Sequence, residues 1–288
     1  MIYELNLAHP EHSDIEYKLS QFPDGQQSIK ITFVPLEADI DDEVQILSRM
    51  NSFRDVEVII CAAKALRGLE VKDVSLFIPY CIGGRSDRKF EEGSINYIKE
   101  VIAPIINLQN FSKVTVMDPH SDVLEACINN FDKESNFELV DFALAHLGGN
   151  PDTYTLVSPD AGAMKKVYAV SEHTKIRDII VASKVRDTST GQIVYTDVPV
   201  TPTHAQKEFI IVDDICDGGR TFVEIAKNIR EKFPDAKVYL IVTHGIFSAG
   251  YNELAKYFTG IYTTNSIHPD EFGEPAGSGF YVKTLKVF

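Results

Sequence analysis

The sequence predicts an α/β protein of two domains with mainly parallel sheets flanked by helices. Three observations carry that prediction. Short apolar runs bounded by turn residues alternate with segments of helical period. Runs ending in an acidic residue occur in both halves of the chain. A length of 288 residues, at roughly 150 residues per domain, accommodates two cores.

In the first half VSLFIPY (74–80) and KVTVMDP (113–119) read as strands, while VEVIICAAKALRGL (56–69) and SINYIKEVIAPIINL (94–108) read as helices. The helix-like run in NFELVDFALAHLGGNPDT (136–153) stops at Gly148-Gly149-Asn150-Pro151, a helix-ending signal. This predicts a linker over 144–152 between an N-terminal domain, 1–147, and a C-terminal domain, 148–288. The strand pattern then restarts with TYTLVSPDAG (153–162), DIIVASK (178–184), EFIIVDD (208–214), KVYLIVTH (237–244) and TGIYTTNSI (259–267). Between Lys184 and His204 the chain is polar and rich in Thr and Pro, which predicts a mobile loop with hairpin character.

With 44% apolar residues and a mean hydropathy of −0.08, the composition is that of a soluble globular chain. The first residues lack a basic segment followed by an apolar run, and no stretch approaches the ~20 apolar residues that span a bilayer. A cytoplasmic protein with no membrane partner is expected. Cys61, Cys81, Cys127 and Cys216 show no CxxC or Cys/His spacing, so reduced thiols are expected rather than disulfides or a zinc site. A net charge of −14 opposes nucleic-acid binding, which depends on neutralising phosphates with Lys and Arg. A phosphorylated small molecule would need local donors and metal ions.

Those donors are most concentrated in FIIVDDICDGGRTFVEIAKNIR (209–230), an apolar strand, two carboxylates, a Gly-containing turn, a Thr and a helical pattern. Ligands of open α/β sheets bind beyond the carboxyl ends of strands, where Asp213 and Asp214 can accept hydrogen bonds from vicinal sugar hydroxyls. Asp217, Gly218, Gly219, Arg220 and Thr221 offer backbone N–H groups, a hydroxyl and a helix N-terminus to a phosphate. Taken alone, an Asp-Asp pair before a turn is also a common helix cap.

The whole string resembles the ribose-phosphate pyrophosphokinase family, and the resemblance runs in collinear order through most of the chain. It takes in FPDGQQSIKI (22–31), LSRMNSFRDVEVIICAAKALR (47–67), FIPYCIGGRSDRK (77–89), VTVMDPHS (114–121), LVSPDAGAMKK (156–166), SKVRD (183–187), IIVDDICDGGRT (210–221), VTHGIFS (242–248) and YTTNSI (262–267). The resemblance implies a type I phosphoribosyltransferase-like fold and transfer of the β,γ-pyrophosphoryl group of MgATP to the anomeric hydroxyl of ribose 5-phosphate. It implies that Phe22, Asp24 and Gln26 surround adenine from a neighbouring subunit, with Arg85, Asp87 and His120 on the ATP side. His120 and Asp160 are implied near Mg2+, and Lys184 and Arg186 on a catalytic loop. Asp213, Asp214 and Asp217 to Thr221 are implied around the ribose phosphate. Self-association to at least a dimer is implied by the shared adenine site, the family reaching hexamers.

The sequence also departs from the family. Its usual opening strand, turn and first helix are not recognisable at the N-terminus, and Gln26 replaces an expected Glu. Gly83-Gly84 and Ser86 replace an aromatic/small pair and a Gln. In the phosphate turn a Thr is lost and Arg220 is gained, which points to an acceptor with more than a simple 5-phosphate, such as ADP-ribose. Phosphoribosyl transfer to a base is disfavoured by the ATP-side motifs. A non-catalytic regulatory homologue is the other reading, opposed by retention of Lys184, Arg186, Asp213 and Asp214. The geometry of Thr243-His244-Gly245 is open between a site contact and a turn.

Overall fold

Residues 1–35, 43–186, 193–269 and 279–288 are described by the structure, a computed structural model, with the side chains of 184–186 and 193–195 outside that description. The chain divides into two units, Met1–Ser135 with Val287–Phe288, and Asn136–Lys286.

The first unit is built on a five-stranded parallel sheet. Its strands are β1 (Ile2–Asn6), β4 (Glu43–Leu47), β5 (Asp73–Ile78), β6 (Val114–Met117) and β7 (Phe131–Glu134), in the order β1-β4-β5-β6-β7. Between β1 and β4 the chain forms an antiparallel hairpin of β2 (Glu16–Gln21) and β3 (Gln27–Phe33). The opening strand is therefore present, as β1 at the sheet edge, contrary to the expectation from sequence. After β1 the chain makes a single 3-10 turn, Pro10–His12, and enters the hairpin without forming a helix.

Helix α1 (Phe53–Gly68) crosses from β4 to β5. It starts earlier than the apolar period indicates because Ser52 and Asp55 form a capping box. The Ser52 hydroxyl accepts from Asp55 N and the Asp55 carboxylate accepts from Ser52 N at 2.8 Å. Val56, Ile59, Ala62, Ala63 and Leu66 fall on one helical stripe and are fully buried with Val44, Ile46, Leu76 and Ile78 of the strands. The helix predicted over 94–108 begins with a π turn, Ile98–Ile102, continuing as α2 (Ala103–Asn107). Pro104 accounts for the widening, since it lacks the N–H that an α turn would use and its ring crowds the preceding turn. A short α3 (Val123–Cys127) precedes β7.

The second unit begins with α4 (Phe137–Leu147), so the divide falls before this helix and not at 144–152. The reason is packing: Leu139, Val140 and Ala143 of α4 are buried with Leu156, Ile210, Val212 and Tyr262 of the second sheet. That sheet contains β8 (Tyr154–Ser158), β9 (Ile179–Val181), β12 (Glu208–Cys216), β13 (Val238–Gly245), β14 (Gly260–Thr264) and β15 (Tyr281–Leu285). They run parallel in the order β15-β14-β13-β12-β8-β9, with α5 (Met164–Thr174) and α6 (Arg220–Lys232) as crossovers. Its apolar positions form two clusters, Val157, Ile211, Leu240 and Val242 in one and Leu156, Ile210, Val212 and Ile241 in the other. Near-continuous apolar strands are what burial on both faces requires.

The run DIIVASK does not form one strand. Ala182 donates to Ser158 O at 2.8 Å, closing β9, and the chain leaves the sheet to form β10 (Ser183–Arg186), paired antiparallel with β11 (Ile193–Asp197). The hairpin character expected of 184–204 is thus present in the backbone, while its tip, 187–192, lies outside the described residues. Replacing Ser52 with Ala is expected to destabilise the protein by about 1 kcal/mol, the usual value of an N-cap. A urea titration that returns the wild-type midpoint would contradict the capping role.

Candidate functional site

Strand β12 is longer than its neighbour. Glu208–Ile211 pair with Tyr154–Val157 of β8, and β12 then continues alongside β13, with Asp213 opposite Val242 and Ile215 opposite His244. Asp213 and Asp214 therefore stand beyond the carboxyl end of β8, where an open sheet leaves a crevice. Asp214 is buried and Asp213 partly so. Asp214 N donates to Asp213 Oδ1 at 2.9 Å.

Two adjacent carboxylates in such a place repel each other and lose hydration, and the structure supplies a cation. Lys166 Nζ lies 3.2 Å from Asp214 Oδ1, with both side chains largely buried. Burial and the Asp214 carboxylate hold the Asp213 carboxyl well above the ordinary range, Lys166 offsetting part of the effect. Lys166 was not among the residues singled out from sequence. A signal existed: Lys165-Lys166 occupy the first turn of α5, where the helix dipole disfavours cations, so their placement there needs another partner.

After β12 the chain turns through Asp217, Gly218 and Gly219 into α6. Gly219 is the N-cap, with φ +76°, a conformation that favours glycine, and a Cβ there would lie a tight 3.1 Å from Leu254 Cδ2. No side chain caps this helix. Its first N–H groups face a turn in which Asp217 Oδ1 accepts from Ser248 Oγ at 2.5 Å. Thr221 is half-buried, Gly218 and Arg220 are exposed, and Arg220 makes no hydrogen bond or ion pair among the described residues. His244 is buried, with Nδ1 2.9 Å from Ser266 Oγ in a polar network that also ties Thr264 Oγ1 to Thr243 O. The structure thus gives His244 a place in the strand-end network. Burial, with Asp213 and Asp217 nearby, pushes the Cys216 thiol up to about 12, leaving it protonated.

Asp160 sits in the turn between β8 and α5, and its Oδ1 accepts from Gly162 N at 3.0 Å and Ala163 N at 3.2 Å. Among the described residues no three His, Cys, Asp or Glu side chains converge as a metal cage. Mg2+ retains several waters and takes one or two carboxylates plus substrate phosphates. Asp160 offers one carboxylate of the kind such an ion takes. His120, the other residue expected near the ion, follows β6 and lies close to Asp87. Lys184 and Arg186 have their backbone on β10, opposite Thr196 and Ile193, and their side chains lie outside the described residues.

In the first unit, Arg85 and Asp87 come after β5, and His120 after β6. Asp87 is buried and bound by Arg88 through two hydrogen bonds, at 2.9 and 3.2 Å. Burial raises the Asp87 pKa, but the Arg88 fork, the Ser121 hydroxyl and nearby His120 outweigh it and hold the carboxyl below its ordinary value. Asp87, itself buried, is thus held by a bidentate fork from the exposed Arg88. Phe22, Asp24 and Gln26 occupy the exposed tip of the β2–β3 hairpin. The tip is closed by Phe22 N to Gln26 O, 2.9 Å, with Asp24 Oδ1 accepting from Gln26 N at 3.2 Å and Gly25 at φ +98°.

The chain is 27% identical to the ribose-phosphate pyrophosphokinase of Sulfolobus acidocaldarius over 262 residues, 89% of this chain and 85% of that one. It is 27% identical to that of Pyrococcus furiosus over 258 residues, 87% and 85% of the two chains. This chain is a distant relative of the ribose-phosphate pyrophosphokinases. Its fold is that of a phosphoribosylpyrophosphate synthetase from Mycobacterium smegmatis, with a TM-score of 0.80 at 16% identity over 99% of this chain and 94% of that one. No protein-family profile matches the chain. No helix among the described residues is long and apolar enough to cross a membrane.

The raised Asp213 pKa has a measurable sign. Above the unfolded value of 3.8 the unfolded chain releases this proton while the folded chain retains it, so the contribution to stability falls as pH rises toward the folded pKa. Asp213→Asn removes that titration and should be more stable than wild type at pH 7, the difference shrinking toward pH 4 in urea titrations. Lys166→Met leaves Asp214 without its cation and should lose about 3 kcal/mol at pH 7. Equal stability of wild type and Lys166→Met across the series would show that the ion pair does not hold the acidic pair in place.

Proposed function

We propose that the protein transfers the pyrophosphoryl group of MgATP to the anomeric hydroxyl of ribose 5-phosphate, giving phosphoribosyl pyrophosphate and AMP. The observation that carries this reading is the acidic pair and glycine turn at the end of β12, in a chain related along most of its length to ribose-phosphate pyrophosphokinases.

In this reading Asp213 and Asp214 hold the vicinal hydroxyls of the ribose, oriented through Lys166. The N–H groups of the Gly218–Thr221 turn and the start of α6 hold the 5-phosphate. Arg85, Asp87 and His120 serve the ATP side, Asp87 by fixing Arg88 and the turn after β5. Phe22, Asp24 and Gln26, exposed on their hairpin, are suited to a neighbouring subunit's adenine, which makes the working form at least a dimer. Lys184 and Arg186 neutralise the transferring group and exclude water from it. Asp160 and His120 would hold Mg2+ together with the ATP phosphates, where it would supply Lewis-acid stabilisation of the charge that develops on the departing AMP. In-line approach of the hydroxyl is the main demand on the protein, because phosphoryl transfer depends on positioning and charge stabilisation.

Arg220 supports a variant of the same chemistry on a 5-substituted ribose such as ADP-ribose, placing the enzyme in NAD-related metabolism. An exposed guanidinium at the first position of α6 is suited to a second phosphate beyond the 5-phosphate. Following AMP formation from MgATP with each acceptor tests both. Acceptor-dependent AMP is expected, and its absence with both acceptors would leave the regulatory reading. Asp213→Ala should lose about 100-fold in kcat/KM. Arg220→Gly should shift preference toward ribose 5-phosphate, and an unchanged ratio of kcat/KM values would return Arg220 to the solvent.

A further inference from the structure

We propose that Asn228 of α6 is a positioning residue for the β10–β11 hairpin, holding Thr196, the strand partner of Lys184, in fixed register on the helix that starts at the phosphate turn. The proposal rests on the roles proposed above for Lys184, Arg186 and the Gly218–Thr221 turn. β10 and β11 form a two-stranded sheet of their own, so the outer edge of β11 has no strand beside it among the described residues. Side chains of α6 meet that edge instead. Asn228 Nδ2 donates to Thr196 O at 3.0 Å, and Lys232 Nζ donates to Val198 O at 2.9 Å. The spacing is a match of two periods. Four residues of helix rise about 6 Å and two residues of strand about 6.6 Å, so an i, i+4 pair on α6 can reach carbonyls i, i+2 along one edge.

Both roots of the hairpin are seated on this helix. Ala182, just before β10, and Val198, just after β11, are buried in one apolar cluster with Phe222, Ile225 and Ile229 of α6. Apolar contact is non-directional, and by itself it lets a hairpin slide along a helix. The bond from Asn228 supplies direction. Thr196 is buried and stands opposite Lys184, and the register shifts only beyond it, between Val185 and Arg186. A slip of one residue would turn every side chain of the strand to its other face. The place of Lys184 therefore depends on where Thr196 is held. A stabilising role accounts poorly for Asn228, because its Oδ1 is buried without a hydrogen-bond partner among the described residues. That cost is comparable to the net gain from the bond its Nδ2 makes. A leucine of nearly the same shape would fill the place without the cost, so what the amide adds is the directed bond to Thr196. One helix thus carries the phosphate turn at its start and the hairpin about two turns later.

The test is limited tryptic digestion of the full-length protein, following cleavage after Lys184 and Arg186 by mass spectrometry, alongside kcat and KM for AMP formation. Wild type is compared with Asn228→Leu, which loses the donor, and Asn228→Gln, which keeps one. Expected in Asn228→Leu are cleavage at these two sites about fivefold faster and kcat about fivefold lower, the KM for ribose 5-phosphate staying within about twofold of wild type. Asn228→Gln should recover part of both effects. The melting temperature of Asn228→Leu should equal or exceed that of wild type. Unchanged cleavage, or faster cleavage with unchanged kcat, would overturn the positioning role. So would a lowered melting temperature with cleavage accelerated equally at other sites, which is the signature of a merely structural bond. If wild type forms no AMP with any acceptor, the proposed reaction fails, and the cleavage rates alone decide whether Asn228 holds the hairpin.

Discussion

A parallel strand buried on both faces has one place for polar chemistry, the end where it outruns its neighbours. In the second unit that strand is β12. Ile210 and Val212 belong to one apolar cluster and Phe209 and Ile211 to the other, so after Glu208 at its start no polar side chain appears until Asp213, near its carboxyl end. The cost is electrostatic: Asp213 and Asp214 are adjacent, poorly hydrated and of like charge. Lys166 answers this from the first turn of α5, a position its own helix disfavours. The arrangement links the register of β8 against β12, the start of α5 and the protonation of Asp213.

The glycine turn after β12 obeys a second constraint. Gly219 adopts a left-handed conformation against Leu254 and leaves α6 without a side-chain cap, so the unsatisfied N–H groups of the helix start are available to an oxyanion. Asp217, tied to Ser248, borders these donors. The acidic pair and an uncapped helix start thus lie within one strand-turn-helix segment, with Arg220 exposed beside them.

In the first unit the same logic of strand ends applies with different partners. The turn after β5 is fixed by the buried Asp87, held by the exposed Arg88 near His120 and Ser121, while the ends of β1 and β4 open onto a cavity bordered by two arginines. The β2–β3 hairpin follows β1 after a single 3-10 turn. It is anchored through Gln27 to α1, with its tip exposed.

The fold class, most strands and the acidic glycine turn were legible in the sequence, because apolar period, Gly conformational need and strand-to-helix turns are local properties. Element edges were less so where a side chain outside the apolar period decided them, as with the Ser52–Asp55 cap and the π turn before Pro104. Other outcomes were non-local. The break at Ala182 depends on a hydrogen bond to Ser158, and the assignment of α4 to the second unit depends on burial against Ile210 and Tyr262. β1 was missed because its five residues become a strand only by pairing with Glu43–Leu47. By itself the sequence determined which segments can be strands, helices and phosphate turns. Only the tertiary structure decided that Lys166 meets Asp214 and that Asp87 is held by Arg88, because charge partners are set by which elements pack together, and packing brings together residues far apart in the chain.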